Sequence, residues 1–488
     1  MPKRLTAMEA TFLYLEGRAT PMHVGQVVIF RPGRDGFDYE KLVGLVDSWI
    51  GQVPRLRQRL VRVPGNIARP VWIDDPDFDL TYHVRRSGLP RPGSDEQLFE
   101  FCARIESRRL DRTRPLWEVY LIEGLDRGRI ALASKVHQAV ADSVTVTGMA
   151  ASAANTAAWS PRPAPSGGEL LRSAVVELGR QPARSLGAFR SAAANPRRSS
   201  QEALAVAADL SRIARTAGAS SASGLFKAPP GESRRFAVSR TAVADYLAVA
   251  ERLEATLSDV VLAAIAGALR GWLLLRGGLT GDDTAVRAML PAGGLMAETE
   301  HGHAATAPTI VDLPVGDPDP LARVSRIRAA REARDESHDS LALDDAVNLV
   351  GLAPPPVHAL GVRAAASLAP RLWDVTVTGV IGPFAPFADQ NPDMVETFPI
   401  TPLYPGQALS IALTSHRDGV FFGLNADRDI CPDVEVMGVL IEEALAELVT
   451  ASSATWLAGR RRQGAYGNRR VRGPRTGGRS EPRPAARG

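Results

Sequence analysis

A segment rich in Pro, Ala and Arg between residues 159 and 234 divides the chain into two longer halves. It opens with Ser160-Pro-Arg-Pro-Ala-Pro-Ser-Gly-Gly168, a composition typical of linkers. Apolar residues at helical spacing follow within 169–217. The sequence therefore predicts an N-terminal domain at 1–158, a helical linker at 159–234, a C-terminal domain at 235–458 and a disordered Arg-rich tail at 459–488.

Both halves mix strand-like and helix-like segments, which indicates the α/β class. Alternating or β-branched runs predict strands at 21–30, 71–73, 117–124, 130–136, 285–290, 309–313, 375–378, 407–414 and 420–424. Apolar residues three and four apart predict helices at 39–50, 96–108, 144–158, 241–255, 257–274, 320–337 and 432–450. Arg417-Asp-Gly419 predicts a hairpin turn.

The seven residues 137–143 follow a buried-looking strand and read His-Gln-Ala-Val-Ala-Asp-Ser. They resemble the His-His-x-x-x-Asp-Gly signature of CoA-dependent acyltransferases and condensation domains. In that signature the second His is the general base. This chain has Gln138 at that position, and Ser143 replaces the final Gly.

Further stretches, in the same order along the chain, resemble the bacterial wax ester synthase/diacylglycerol acyltransferase family. They are Pro21-Met-His-Val24, Pro115-Leu-Trp-Glu-Val-Tyr-Leu-Ile-Glu-Gly124, Ser258-Asp-Val-Val-Leu-Ala263, Val311-Asp-Leu-Pro-Val315, Gly379-Val-Ile-Gly-Pro383, Pro402-Leu-Tyr-Pro-Gly-Gln-Ala-Leu409 and Ala426-Asp-Arg-Asp429. The resemblance implies two chloramphenicol-acetyltransferase-like domains with a channel between them, the motif lying at their interface. It implies an O-acyltransferase that moves a fatty acyl group from acyl-CoA, a co-substrate, to diacylglycerol or a long-chain alcohol, with no bound cofactor.

The differences from the family pattern fall at signature positions. Besides Gln138 and Ser143, the family's Asn-Asp pair is Ser258-Asp259, and its Asn-Val-Pro-Gly-Pro run is Gly379-Val-Ile-Gly-Pro383. A glutamine amide is not a base at physiological pH, whereas histidine titrates close to it. The chain is therefore expected to be either an acyltransferase with reduced activity or an inactive paralogue that binds acyl chains or acyl-CoA, or regulates an active relative.

His137 is a possible substitute base at the candidate site. Adjacent residues of an extended segment point to opposite sides, so if Gln138 faces the channel, His137 faces the domain body. Asp142 is expected to order the loop. Asp259 is either a helix-start residue or an indirect support of the site. By resemblance, the substrate-binding positions are Ser143, Ser258, Asp259, Gly379, Gly382 and Pro383.

Composition excludes several other functions. Cys102 and Cys431 are too few for a disulfide framework, and His301-Gly-His303 has no third metal ligand placed by spacing. Residues 460–488 hold ten Arg and one Glu, which leaves 48 basic and 53 acidic residues elsewhere, so nucleic-acid binding is not expected.

No signal peptide or membrane-spanning run is expected from the sequence, which favours a cytoplasmic protein. Contact with the inner face of the plasma membrane or with a lipid droplet would be peripheral. The linker helices are either such a lipid-facing lid or a crossover packed on the body. The Arg-rich tail either touches anionic headgroups or is simply solvated.

Overall fold

The computed structural model describes residues 3–32, 36–51, 53–141, 162–176, 225–226, 228–279, 281–290, 295, 309–337, 358–360, 362–363, 366, 372–380 and 394–467. The strands are β1 Lys3–Arg4, β2 His23–Phe30, β3 Gln58–Val61, β4 Val71–Asp74, β5 Val84–Gly88, β6 Trp117–Glu123, β7 Ile130–His137, β8 Arg234–Ala242, β9 Val286–Leu290, β10 Thr309–Leu313, β11 Val375–Gly379, β12 Met394–Ile400, β13 Leu409–His416 and β14 Gly419–Asp427. The α-helices are α1 Ala7–Leu15, α2 Tyr39–Ile50, α3 Leu80–His83, α4 Asp95–Glu106, α5 Val243–Leu253, α6 Leu257–Leu275, α7 Pro320–Ser337 and α8 Val434–Gly467. Helical residues are also described at 138–141 and 167–176.

Two mixed sheets dominate the fold and confirm the predicted α/β class. The N-terminal sheet has the order β12-β2-β7-β6-β5, and the C-terminal sheet has the order β10-β9-β11-β13-β14-β8. A third sheet of three short strands has the order β1-β4-β3. The predicted hairpin is confirmed, because β13 and β14 pair antiparallel and Arg417 adopts a φ of 50° in their turn.

Strand β12 joins the two halves of the chain. It lies in the C-terminal half of the sequence but pairs with β2, from Met394 opposite Phe30 to Ile400 opposite Gly25. The sequence analysis did not predict it, because Pro399 interrupts the segment. Proline lacks a donor for the strand ladder and is tolerated here since β12 is an edge strand.

The C-terminal sheet has two distinct faces. Its outer face packs Val377, Ile411 and Leu424 against α5, α6 and α8 in the largest apolar core of the described residues. On its inner face, Phe236 and Phe421 pack with Phe398 and Ile400 of β12 and with α4. The inner face is therefore where the two halves of the protein meet.

Helix α6 is the main helix of the C-terminal core. Thr256 is its N-cap and forms a capping box with Asp259. By length and composition this is the one helix among the described residues that could cross a membrane, but 67% of its apolar window is buried inside the protein. Burial against the sheet explains its apolar sequence without a membrane.

The last helix is longer than predicted. Helix α8 continues to Gly467, so residues 459–467 are helical, whereas the sequence analysis assigned them to a disordered tail. The run Arg460-Arg-Arg-Gln463 consists of good helix formers, which favours the extension. The predicted helix at 144–158 and most of the linker lie outside the described residues.

Candidate active site

The motif begins where three strands of the N-terminal sheet end together. The C-terminus of β7 lies beside the N-termini of β2 and β6, because β7 is antiparallel to both. The amide of His137 donates to the Leu116 carbonyl at 3.0 Å, and the amide of Gln138 donates to the Met22 carbonyl at 2.8 Å. Two of the stretches that carried the family resemblance, at 21–24 and 115–124, therefore hold the motif by its backbone.

His137 is fully buried, with a hydrogen bond at Nδ1 and a carboxylate near Nε2. Its Nδ1 accepts the amide proton of Ala139 at 3.0 Å, where the chain turns from strand into helix. Its Nε2 faces Glu16 Oε1 at 3.8 Å. Because Nδ1 is an acceptor, the proton of the neutral ring lies on Nε2 and points at the carboxylate. The side chain thus points into the body of the N-terminal domain.

Glu16 is the centre of a buried polar cluster that also contains His23, Arg112 and His137. Arg112 donates through Nε to Glu16 Oε2 at 2.8 Å, and His23 Nε2 lies 3.5 Å from Glu16 Oε1. Sequence analysis missed this cluster, because Glu16 and Arg112 lie far from the motif in the chain and belong to no recognisable pattern.

Electrostatics make this cluster a neutral histidine pair beside an ionised carboxylate. Burial alone would raise the pKa of Glu16, but the hydrogen bond from His23 and the charges around it lower that pKa to about 2. Burial lowers the pKa of His23 to about 3 and that of His137 to about 4, despite the nearby carboxylate. At neutral pH the Glu16–Arg112 pair is charged and both imidazoles are neutral.

Gln138 differs from His137 in its surroundings. Its side chain is partly exposed, and its Oε1 is buried with no hydrogen-bond partner among the described residues. An amide oxygen in this situation can accept a hydrogen bond from a hydroxyl, although it cannot take up the proton.

A second polar group lies on the inner face of the C-terminal sheet. Thr376, Ser410 and Asn425 are direct cross-strand neighbours on β11, β13 and β14. Thr376 donates to Gln407 Oε1 at 3.0 Å, and Asn425 donates to the Thr401 carbonyl at 2.8 Å. Gln407 Nε2 and Asn425 Oδ1 are buried without a partner among the described residues. These amides are available to a polar group that enters between the two halves; the sequence analysis did not single them out.

Asp259 lies at the start of α6 and its carboxylate is held on several sides. It accepts hydrogen bonds from the Thr256 amide at 3.0 Å and from Arg331 Nε and Nη2 at 3.1 and 3.2 Å. Its neighbour Ser258 lies on the same first turn. The carboxylate of Asp259 thus has the capping geometry of a residue at the start of a helix.

Gly379 is the last residue of β11, and the backbone of Leu295 lies close to it. A Cβ atom at this position would lie 2.0 Å from the carbonyl oxygen of Leu295, so the position has no room for a side chain. This close approach gives Gly379 a packing role. The remaining predicted site residues, Asp142, Ser143, Gly382 and Pro383, lie outside the described part of the chain, as do His301 and His303.

Comparison with known proteins identifies the family. Residues 5–261 match the wax ester synthase/diacylglycerol acyltransferase catalytic domain, and residues 306–449 match the C-terminal domain of the same family. The chain is 42% identical over 264 residues to a Mycobacterium tuberculosis protein named "Probable diacyglycerol O-acyltransferase tgs3", covering 52% of this chain and 97% of that protein. It is 30% identical over 473 residues to tgs1 of the same species, named in the same way, covering 94% and 98% of the two chains.

The fold agrees with this match. The wax ester synthase/diacylglycerol acyltransferase from Marinobacter aquaeolei VT8 superposes with a TM-score of 0.62 at 24% identity, covering 92% of this chain and all of the other. A condensation domain of the CDA synthetase superposes with a TM-score of 0.50 at 14% identity, over 93% and 96% of the two chains. The predicted two-lobed chloramphenicol-acetyltransferase-like fold is confirmed. The chain belongs to the wax ester synthase/diacylglycerol acyltransferase family.

Proposed function

We propose that this protein is an O-acyltransferase that moves a fatty acyl group from acyl-CoA to diacylglycerol, or to a long-chain alcohol, at low turnover. The observation that carries the proposal is the similarity over 94% of the chain to a protein named as a diacylglycerol O-acyltransferase. The position of the signature base is kept at the end of β7, where it is held by two further family stretches. Acyl-CoA is the co-substrate, and the reaction needs no bound cofactor.

Turnover is low in this proposal because residue 138 cannot remove a proton. When the acceptor hydroxyl attacks the thioester carbonyl, its proton must leave, and a positioned base typically contributes roughly 10²–10⁴-fold to the rate. The Gln138 amide can still orient the hydroxyl through its unpartnered Oε1. Proximity and orientation of the two substrates then account for the remaining rate.

His137 is poorly suited to replace the missing base. Its Nδ1 lone pair is engaged by the Ala139 amide, and its Nε2 carries the proton that faces Glu16. It is fully buried and its pKa is lowered to about 4, so it is also a weak base at neutral pH. The role of His137 in this proposal is therefore structural.

The second candidate function is an inactive paralogue that binds acyl-CoA or acyl chains, or that regulates an active relative. The loss of the base at Gln138 is the observation that favours it. It differs from the first candidate in one measurable respect, because it binds acyl-CoA without producing an ester.

We also propose that the protein acts in the cytoplasm and touches its lipid substrates at a membrane or droplet surface. Leu171, Val175 and Val176 are exposed on the helical segment at 167–176. Co-sedimentation with diacylglycerol-containing vesicles tests this: a protein that stays in the supernatant at every lipid concentration contradicts it.

The reaction itself is tested by product analysis. Purified protein is incubated with palmitoyl-CoA and either dioleoylglycerol or hexadecanol, and the esters are quantified by mass spectrometry over hours. We expect triacylglycerol or wax ester above the no-protein control, and the favoured acceptor identifies the substrate. Saturable palmitoyl-CoA binding with no ester from either acceptor supports the inactive paralogue instead.

A further inference from the structure

The buried cluster around Glu16 offers a connection between the first helix and the motif that the family match does not assign. Glu16 follows α1 directly, and its carboxylate is 99% buried. An ionised carboxylate is costly to bury unless it is paired. The ion pair with Arg112 and the contacts with two histidines meet that requirement.

The cluster reaches the motif through the His137 ring. Ring Nε2 of His137 is buried, makes no hydrogen bond to another described residue, and lies 3.8 Å from Glu16 Oε1, an oxygen that His23 Nε2 also approaches at 3.5 Å. On the other side of the ring, Nδ1 accepts the Ala139 amide at 3.0 Å. That amide is one of the first N–H groups of a helix, which have no partner within the helix itself.

We propose that Glu16 is a positioning residue for position 138, and that it acts through His137. The carboxylate fixes the orientation and tautomer of the imidazole. The imidazole then caps the first turn of the helix that follows β7, in the way a polar N-cap side chain does. Gln138 lies between the two anchored residues, His137 and Ala139, so the direction of its side chain depends on this connection.

Arg112 and Arg234 hold Glu16 itself in place. Arg112 also donates to the Leu13 carbonyl at 3.1 Å, which ties the end of α1 to the loop that precedes β6. Arg234 donates to the Ala19 carbonyl, three residues beyond Glu16, from the first residue of β8. The segment that carries Glu16 is therefore fixed from both halves of the protein.

The test compares Glu16→Gln, His137→Gln and the double variant by hydrogen–deuterium exchange of the intact protein. We expect amides at 138–141 to exchange at least tenfold faster in Glu16→Gln, while amides of β13 are unchanged. We expect the effect of Glu16→Gln to vanish in the His137→Gln background, because two residues of one connection are not additive. Glu40→Gln removes the same charge from an exposed site of α2 and should leave exchange at 138–141 unchanged.

Several results overturn the proposal. Exchange at 138–141 that matches wild type shows that Glu16 does not hold the turn. Faster exchange throughout the protein, or additive effects in the double variant, shows a role in general stability alone. If Glu16→Gln does not fold, Glu16→Asp replaces it, because the shorter side chain keeps a charge beside Arg112 but moves it away from His137. Hydrogen–deuterium exchange at 138–141 is then compared between Glu16→Asp and wild type.

The inference rests on the proposed function only for its kinetic consequence. We expect Glu16→Gln to lower kcat roughly tenfold to a hundredfold, with little change in KM for acyl-CoA. The comparison is made in whichever background produces ester, the wild type or Gln138→His. If no form turns over, the proposed function fails, but the exchange measurement still decides whether Glu16 positions the turn. An unchanged kcat in an active form contradicts the positioning role.

Discussion

At the scale of single residues, the two neighbours His137 and Gln138 of the motif have different surroundings. His137 contacts Glu16 inside the N-terminal domain, whereas Gln138 is partly exposed and has an unpartnered amide oxygen. The alternation of side chains along a strand predicts this difference from the sequence. The partners of His137 were not predictable, because Glu16 and Arg112 approach it only through the folding of distant segments.

The buried histidines predict a specific loss of stability in acid. Both have folded-state pKa values, about 3 and about 4, below the unfolded value of 6.5. As the pH falls below 6.5 the unfolded chain binds protons that the folded protein does not, so the free energy of unfolding decreases. Glu16 adds nothing in this range, because its lowered pKa contributes stability that is lost only as the pH falls from about 4.5 towards 2.

Urea unfolding between pH 7 and pH 5 measures this effect. We expect the free energy of unfolding to fall by about 1 kcal/mol per pH unit for each of His23 and His137 once the pH is below 6.5. His137→Gln should make the slope shallower by about 1 kcal/mol per pH unit and leave the behaviour above pH 7 unchanged. An identical slope in wild type and His137→Gln would contradict the burial of a neutral His137.

At the scale of elements, most strands and helices followed from periodicity, and the exceptions have physical causes. Strand β12 was missed because Pro399 is acceptable only at a sheet edge, and an edge cannot be recognised from one sequence. Helix α8 was predicted too short because composition alone favoured a disordered tail. The bounds of α6, predicted at 257–274, agree with the structure to within one residue, because its apolar residues follow helical spacing throughout.

The packing of β12 on the C-terminal sheet gives a prediction for Gly423 on β14. A Cβ atom there would lie 1.9 Å from the Pro399 carbonyl oxygen, and neither backbone can move easily. We expect Gly423→Ala to destabilise the protein by roughly 1–3 kcal/mol, the usual cost of overpacking. The change in urea midpoint measures it.

Gly44→Ala is the matched control. Gly44 is an exposed residue inside α2, and an added Cβ meets nothing within 4 Å. Because alanine is the better helix former, this substitution should stabilise by roughly 0.5–1 kcal/mol. Equal effects of the two substitutions would mean that β12 does not pack against Gly423.

At the scale of the whole molecule, the two halves are joined at the base of the C-terminal sheet. Arg234 is buried at the start of β8, donates its amide to Ser107 Oγ at 3.1 Å, and lies 3.8 Å from Asp427 Oδ2. Asp427 belongs to the 426–429 stretch that carried the family resemblance. The sequence predicted the two-lobed fold through that resemblance, but the residues that join the lobes emerged only from the structure.

Two adjacent arginines, Arg234 and Arg235, allow a controlled test of the buried ion pair with Asp427. Arg234→Met leaves the buried Asp427 without its cationic partner, and we expect a loss of about 3–5 kcal/mol, the usual cost of breaking a buried ion pair. Arg235→Met removes an ion pair with Glu435 that is exposed, with 40% and 48% of the two side chains accessible, and should change stability by less than about 1 kcal/mol. Thermal unfolding of the two variants side by side measures the difference. A loss in Arg234→Met no larger than in Arg235→Met would mean that the buried Arg234–Asp427 pair contributes no more to stability than an exposed pair.

We propose that the chain keeps an acyltransferase site whose turnover is limited by the missing base at position 138. The most direct measurement is the rate of CoA thiol release from palmitoyl-CoA with the favoured acceptor, in wild type and Gln138→His, with His137→Ala made in each background. We predict that Gln138→His raises kcat by roughly 10²-fold or more, within the range that a general base contributes. A Gln138→His variant no faster than wild type, together with wild-type turnover that His137→Ala abolishes, would contradict the claim and make His137 the working base.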